Sequence, residues 1–385
     1  MNGRALAANP VGELRIRLRL ADEPGRTRIA AVEIDSSRPT ALARLFVGRS
    51  VDQLLVGLPL LFALCGNAQR IAALQAVEQA LGIEASESVR RARAQLLLAE
   101  SGREQLLRLL RDWLGMPAEL RPLLAAFNRF YAAYCDRRSD ALRLAGQASS
   151  NPAVGHGLVS ELQQSWLPLS ELPLEMWLQQ RLAAAEQSPV GRLLVGLQRR
   201  FGEVDLHQGS ATLSALPRDW LHRQLQTEQS AAFCRAPTLH GEPRETGLWP
   251  RWRGAPLQRL TADQGLHPLV QRLLALLDEL RQLPVRLLQA EPLALESAPA
   301  PGWGLATVDS ARGLLSHQLR LVDGVVAELA LLAPTEWNFH PAGSLVRQLR
   351  GVTVADRQQA LALVRTLALL LDPCVKFDVE IGPDA

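Results

Sequence analysis

Between residues 12 and 35, Leu14, Ile16, Leu18 and Leu20 alternate with polar positions, the chain turns at Glu23-Pro24-Gly25, and Ile29, Val32 and Ile34 resume the apolar pattern. A period of two on either side of a Pro-Gly turn predicts a β-hairpin. From 51 to 148 the period becomes helical, in three long segments broken near Gly82 and near Gly115-Met116-Pro117. The last of these carries Phe127, Phe130, Tyr131 and Tyr134 as a core stripe, and Cys135 after it reads as a small buried residue. A further helix fits 171–201. Residues 205–262 are rich in Gly, Pro and Trp and predict an irregular, partly β stretch. A helix follows from 266 to about 292. Residues 301–334 alternate again around Asp323-Gly324 and predict a second hairpin, and a helix at 355–371 leads into "LDPCVKFDVEIGPDA".

The pattern predicts an α+β fold, mainly helical. A central bundle would hold the helices at 51–148, 171–201, 266–292 and 355–371, with β-hairpins packed at one end. The whole chain, 1–385, reads as one domain: hairpin region 1–50, helical bundle 51–300, and hairpin, helix and tail 301–385. With 385 residues and 48% hydrophobic content, a sizeable core is affordable.

Charge narrows the function classes. The formal net charge is only +3, and the 42 Lys+Arg include one lysine, Lys376, so the arginines are spread along the chain and form no nucleic-acid patch. The N-terminus lacks the continuous apolar run of a signal peptide, and no stretch approaches the roughly 18 apolar residues of a membrane span. Four cysteines, Cys65, Cys135, Cys234 and Cys374, lie far apart without a C-x-x-C pair. Neither a zinc cluster nor a disulfide scaffold is indicated, and a reduced, cytoplasmic compartment is expected.

Three segments carry a family resemblance. "ARGLLSHQLRLVDGVVAELALLAPTEWNFHP" with "ADRQQALALVRTLALLLDPC" resembles the C-terminal half of nickel-iron hydrogenase large subunits, in which an "APRGxLxH" hairpin, a "PTxWN" segment and a helix entering "DPCxxCxxH" follow one another. Arg312, Gly313 and His317, then Pro334, Thr335, Trp337 and Asn338, then Asp372, Pro373 and Cys374 stand at those places. The central "RAPTLHGEPRETGLWPRW" is similar to another family segment through Gly241, Pro243, Glu245, Gly247 and Arg251. Near the N-terminus, "LPLLFALCGNAQRIAALQAVEQALG" (58–82) resembles "CGxCxxxHxxAxxxAxExALG". Ungapped, this puts Cys65 on the second cysteine, Phe62 on the first and Gln69 on the histidine. Alternatively Cys65 takes the first cysteine, with Gly66 matching, at the expense of a three-residue deletion.

The departures decide what the resemblance implies. Such a hydrogenase holds nickel and an Fe(CN)2(CO) unit on four thiolates. Here Phe377 and Glu380 replace the second cysteine and the histidine of the C-terminal motif, and Ala43 replaces a proton-relaying glutamate. Soft thiolates hold such metals and phenylalanine cannot ligate, so hydrogen turnover is not expected and no nickel is expected. The chain resembles the large-subunit-like accessory proteins of hydrogenase operons, the HupK or HoxV type. That resemblance implies a non-catalytic scaffold on which Cys65 and Cys374, meeting across the bundle, hold the Fe(CN)2(CO) unit, with Arg312 donating to a cyanide. Implied partners are Hyp-type maturation proteins and the hydrogenase large subunit, with no nucleic acid and no membrane insertion. Two readings stay open: such a scaffold, or a metal-free structural partner in which both cysteines are small buried residues and Arg312 is an ion-pair partner. His317 reads as structural, and Asp372 as a turn residue beside Cys374. The sequence stops five residues after Glu380. No proteolytically processed form is therefore expected.

Overall fold

The computed structural model describes residues 12–144, 188–226 and 228–382, with isolated positions at 176, 178, 179 and 182. Most of the first half of the helix expected at 171–201 lies outside them.

The N-terminal hairpin forms as the alternation demands. Strands β1 (Leu14–Glu23) and β2 (Arg26–Ser36) run antiparallel from Leu14 opposite Ser36 to Glu23 opposite Arg26. Leu14, Ile16, Leu18 and Ile29 are buried while the arginines between them face water. The helical region follows: α1 (Val51–Leu61), α2 (Gly66–Leu81), α3 (Glu87–Arg108) and α4 (Arg121–Arg137). Ser50 starts α1 with a capping box shared with Gln53, Ser86 caps α3, and α2 ends on Gly82 in the left-handed region. The break at Gly82 is where the sequence predicts it. The first segment, however, is two helices: the axes of Val51–Leu61 and Ala63–Leu81 differ by 101°. Pro59 in the last turn of α1, the non-helical Phe62 and a single 3-10 turn over Ala63–Cys65 make the corner.

After α5 (Pro189–Phe201), the Gly- and Pro-rich stretch is irregular as expected, with two-residue strands β3 (Ala211–Thr212) and β4 (Arg244–Glu245) paired in parallel among short helices. Helix α6 (Pro268–Leu288) is covered on nearly all sides, packing on α3, on α5 and on α7 (Arg357–Leu370) near the C-terminus. The second hairpin is larger than predicted. Strands β5 (Trp303–Ser310), β6 (Gly313–Val322) and β7 (Val325–Leu332) form a meander, with Asp323-Gly324 between β6 and β7 and Ala311-Arg312 between β5 and β6. This sheet packs on α2 so closely that a Cβ at Gly304 would overlap the backbone of Ala76. The alanine-rich face of α2 (Ala68, Ala72, Ala73, Ala76) permits that approach.

Two further strands were unforeseen. Beyond α7 and the Asp372-Pro373-Cys374 turn, β9 (Phe377–Ile381) adds to β1 in parallel, and β8 (Thr353–Val354) pairs with β2, giving the order β8-β2-β1-β9. The pairing is long-range, Phe377 opposite Leu14, so the two chain ends share one sheet.

Candidate functional site

Cys65 sits at the corner between α1 and α2, at the N-cap of α2 without a side-chain cap of its own. The cap comes from α3. Glu100, almost fully buried, accepts hydrogen bonds from the N–H groups of Asn67 (2.8 Å) and Ala68 (3.0 Å). A carboxylate there offsets the unpaired amides and the positive end of the helix dipole. One turn into α2, Gln69 donates from Nε2 to Cys65 Sγ (3.7 Å) while its Oε1 accepts from His317 Nε2 (2.8 Å) on β6. Burial pulls the His317 imidazolium down to about 3, so the ring is neutral and carries its proton on Nε2. The histidine is thus structural, one residue removed from the sulfur, with a buried Nδ1 that has no partner.

Cys374 is placed by the short helix Pro334–Asn338. Thr335 donates from Oγ1 to Cys374 Sγ (3.1 Å), and the Cys374 N–H donates to the same oxygen (3.4 Å). Asn338 joins three segments: its Oδ1 accepts from Thr246 N–H (2.9 Å), and its Nδ2 donates to the carbonyls of Arg312 (3.3 Å) and Leu371 (3.4 Å). The turn carrying Arg312 is pressed against the central motif. A side chain on Gly247 (φ 102°) would strike the Arg312 carbonyl, and one on Gly313 (φ 123°) would strike Gly247 and Thr246.

Arg312 is buried beside Glu104 (Nη2 to Oε2, 3.3 Å) and Asp372 (Nε to Oδ1, 3.5 Å). Asp372, in the left-handed region, also pairs with Arg108, which donates to the Pro373 carbonyl at 3.0 Å. Burial works against the Arg312 charge, but Asp372, Cys374, Glu104 and Cys65 together outweigh it and hold the guanidinium charged. Nε and Nη1 of this buried group have no hydrogen-bond acceptor. Arg312 therefore reaches the field of both sulfurs with donors to spare.

Cys65 and Cys374 line one cavity of about 280 Å³, with Phe62, Ala43, Arg38 and Glu336 among its other walls. Arg312 lies behind it, lining a separate void of about 20 Å³ with Asp372 and Asn338. The Cys65 thiol is pushed up to about 12, first by burial, then by Cys374 and Glu100, with Arg312 and the Gln69 bond acting the other way. Glu100 is pushed up to about 7, chiefly by burial. Among the described residues, no three His, Cys, Asp or Glu side chains are arranged to hold a metal ion. The two thiols are the soft donors that line the cavity.

The structure thus brings together the segments of Cys65, Cys374 and Arg312, which are 309 and 62 positions apart along the chain (374 − 65 and 374 − 312). Phe62 occupies the cavity wall. Phe377 is instead half-buried in β9 opposite Leu14, and Glu380 is exposed, bonded to Arg17 at 2.9 Å. Cys135 sits near Asn67 (3.6 Å), and Cys234 is buried in a separate apolar cluster. Sequence reasoning missed Glu100, Arg38 and Glu336. A carboxylate or guanidinium within a mixed pattern reads as surface, and only tertiary contact shows otherwise.

A family model described as nickel-dependent hydrogenase matches residues 258–379. The chain is 37% identical over 376 residues to the hydrogenase expression/formation protein HupV of Azotobacter chroococcum mcd 1, covering 96% of this chain and 98% of that protein. It is 36% identical to HupK of Azotobacter vinelandii (96% and 98%) and 30% identical to HoxV of Cupriavidus necator (94% and 95%). Its fold is similar to that of an NAD+-reducing [NiFe]-hydrogenase chain (TM-score 0.60, 16% identity, 92% and 93% covered) and of the Dm. baculatum [NiFeSe]-hydrogenase (TM-score 0.59, 15% identity, 94% and 98% covered). Near full-length identity to proteins named for hydrogenase formation, joined to a hydrogenase large-subunit fold, identifies the chain as a non-enzymatic member of the HupK/HupV/HoxV family of hydrogenase expression/formation proteins.

Proposed function

We propose that this chain is an assembly scaffold in nickel-iron hydrogenase maturation that transiently holds the Fe(CN)2(CO) unit on Cys65 and Cys374 before handing it on. The observation that carries the reading is the shared cavity: two thiols from opposite ends of the chain line it, with the Arg312 charge behind them. Two thiolates suit a cargo that brings its own diatomic ligands. A bare zinc ion, by contrast, takes four donors in a structural site. The buried Nη1 of Arg312, which has no hydrogen-bond acceptor, fits an acceptor such as a cyanide nitrogen. Two protein ligands also make a bond set that can be released, as hand-over requires. Partners on this reading are Hyp-type maturation proteins and the hydrogenase large subunit, and the compartment is the reducing cytoplasm, where the four cysteines stay free.

The protonated Cys65 favours a second reading, a metal-free partner of maturation proteins or hydrogenase subunits. Metal analysis after anaerobic purification from cells making the maturation machinery separates the two. Substoichiometric iron without nickel, lost in Cys65→Ala and Cys374→Ala, supports the scaffold. Iron-free protein that still sustains maturation supports the metal-free partner.

A further inference from the structure

The wall of the thiol cavity carries a cation that none of the matched motifs includes. Arg38, just beyond β2, has a side chain only 10% exposed and lines the same cavity as Cys65 and Cys374. It donates from Nη1 to Glu336, the neighbour of the threonine that anchors Cys374. Its charge is felt by both sulfurs, as is that of Arg312 on the other side of the cavity lining. The thiol pair is therefore served by two guanidiniums, one in the wall and one behind it. A guanidinium offers five N–H donors in a planar fork, and one bond to Glu336 leaves the fork far from saturated.

We infer that Arg38 makes this cavity anion-selective, favouring anionic reagents and metal complexes with anionic ligands over neutral or cationic ones. The inference rests on the reading of the cavity as the cargo site and names what selects the cargo. Glu336 is the opposing group. Its carboxylate also lines the cavity, and its Oε2 has no partner. Burial raises its pKa against the pull of Arg38, weakening its negative charge relative to a solvated carboxylate, while Arg38 stays protonated. Glu336 thus aims the guanidinium and tempers the positive field. Bare divalent cations meet an arginine at the wall, whereas an iron unit bearing cyanides meets a hydrogen-bond donor.

Competitive alkylation tests this without iron. The folded protein is treated with iodoacetate or iodoacetamide, and modification of Cys374 and Cys65 is followed by peptide mass mapping. The ratio of anionic to neutral rate is referred to that of N-acetylcysteinamide. In the wild type the ratio should exceed the free-thiol value by on the order of fivefold, as expected for a nearby charge shielded from bulk water. It should fall severalfold toward the free-thiol value in Arg38→Met, where Arg312 remains, persist in Arg38→Lys and rise in Glu336→Gln. A wild-type ratio equal to that of the free thiol, or a ratio unchanged in a folded Arg38→Met protein, overturns the inference. Should Arg38→Met fail to fold, a ratio that does not rise in Glu336→Gln overturns it. Iron content does not enter, so failure here and failure of the scaffold reading are read separately.

Discussion

Thr335 and Cys374 exchange two hydrogen bonds across 39 positions of sequence, hydroxyl to sulfur at 3.1 Å and amide to hydroxyl oxygen at 3.4 Å. The threonine thereby fixes where the thiol points and supplies a hydrogen bond to its sulfur. Removing one such bond costs about 1 kcal/mol, near fivefold in an equilibrium. Thr335→Val is expected to retain severalfold less iron than the wild type after anaerobic purification, whereas Thr335→Ser keeps it. Metal analysis of the two variants side by side checks this.

The two cysteines should behave as a unit. Cys65→Ala and Cys374→Ala are each expected to abolish support of hydrogenase maturation, and the double variant to be no worse, because ligands of one centre are not additive. Cys135→Ala and Cys234→Ala should leave maturation intact and shift stability by about 1 kcal/mol at most. Hydrogenase activity in cells carrying each variant is the readout. Full activity with only the Cys65→Ala protein contradicts a metal role.

Glu100 gives stability a defined pH slope. Its folded pKa, about 7, lies above the ordinary 4.5, so the folded state holds this proton more tightly than the unfolded chain. The stabilisation associated with the protonated form is complete below about 4.5 and is lost as pH rises through about 7. Glu100→Gln is expected to flatten that part of the melting-temperature profile between pH 4.5 and 7. Thermal melts of both proteins across that window decide it.

Metal loading should run the opposite way with pH. A thiol pushed up to about 12 must lose its proton to bind, so Cys65 releases one near neutral pH when metal arrives. Affinity for an iron probe that carries cyanide ligands is expected to rise with pH through the neutral range, by up to about tenfold per unit for each proton released. Titration calorimetry in buffers of different ionisation enthalpy counts those protons.

Arg312 combines site and structure. Its removal takes one of two cationic partners from each of two carboxylates, leaving Glu104 with Arg103 and Asp372 with Arg108, and opens a buried void, so Arg312→Leu is expected to lose about 2 kcal/mol of stability in denaturant melts. Arg312→Lys keeps the charge and should lose less. A Leu variant as stable as the wild type contradicts this electrostatic account.

Much of this architecture was legible in the residues. The alternation of Leu14, Ile16 and Leu18, the turn at Asp323-Gly324 and the breaks at Gly82 and Gly115-Met116 are local signals, and the structure places elements there. The corner at Cys65 was not legible, because Phe62-Ala63-Leu64-Cys65 continues the apolar pattern of the helices on either side. Strand β9 was missed because five residues after a turn carry little signal until β1 supplies a partner 363 positions away, as with Arg17 and Glu380. At the site, the motifs pointed to Cys65, Cys374 and Arg312. The groups that tune them, Glu100 on the α2 amides, Gln69 with His317 and Arg38 with Glu336, depend on contacts between distant segments that no local pattern records.

The central claim is that the two thiols hold an iron unit with its diatomic ligands. Infrared spectroscopy of protein purified without oxygen, from cells expressing the full maturation set, tests it most directly, since carbonyl and cyanide bound to iron absorb where protein is nearly transparent. The account predicts carbonyl and cyanide bands with substoichiometric iron and no nickel, and in Arg312→Lys a larger shift of the cyanide bands than of the carbonyl band. Absence of both iron and diatomic bands in protein that still supports hydrogenase maturation would contradict it.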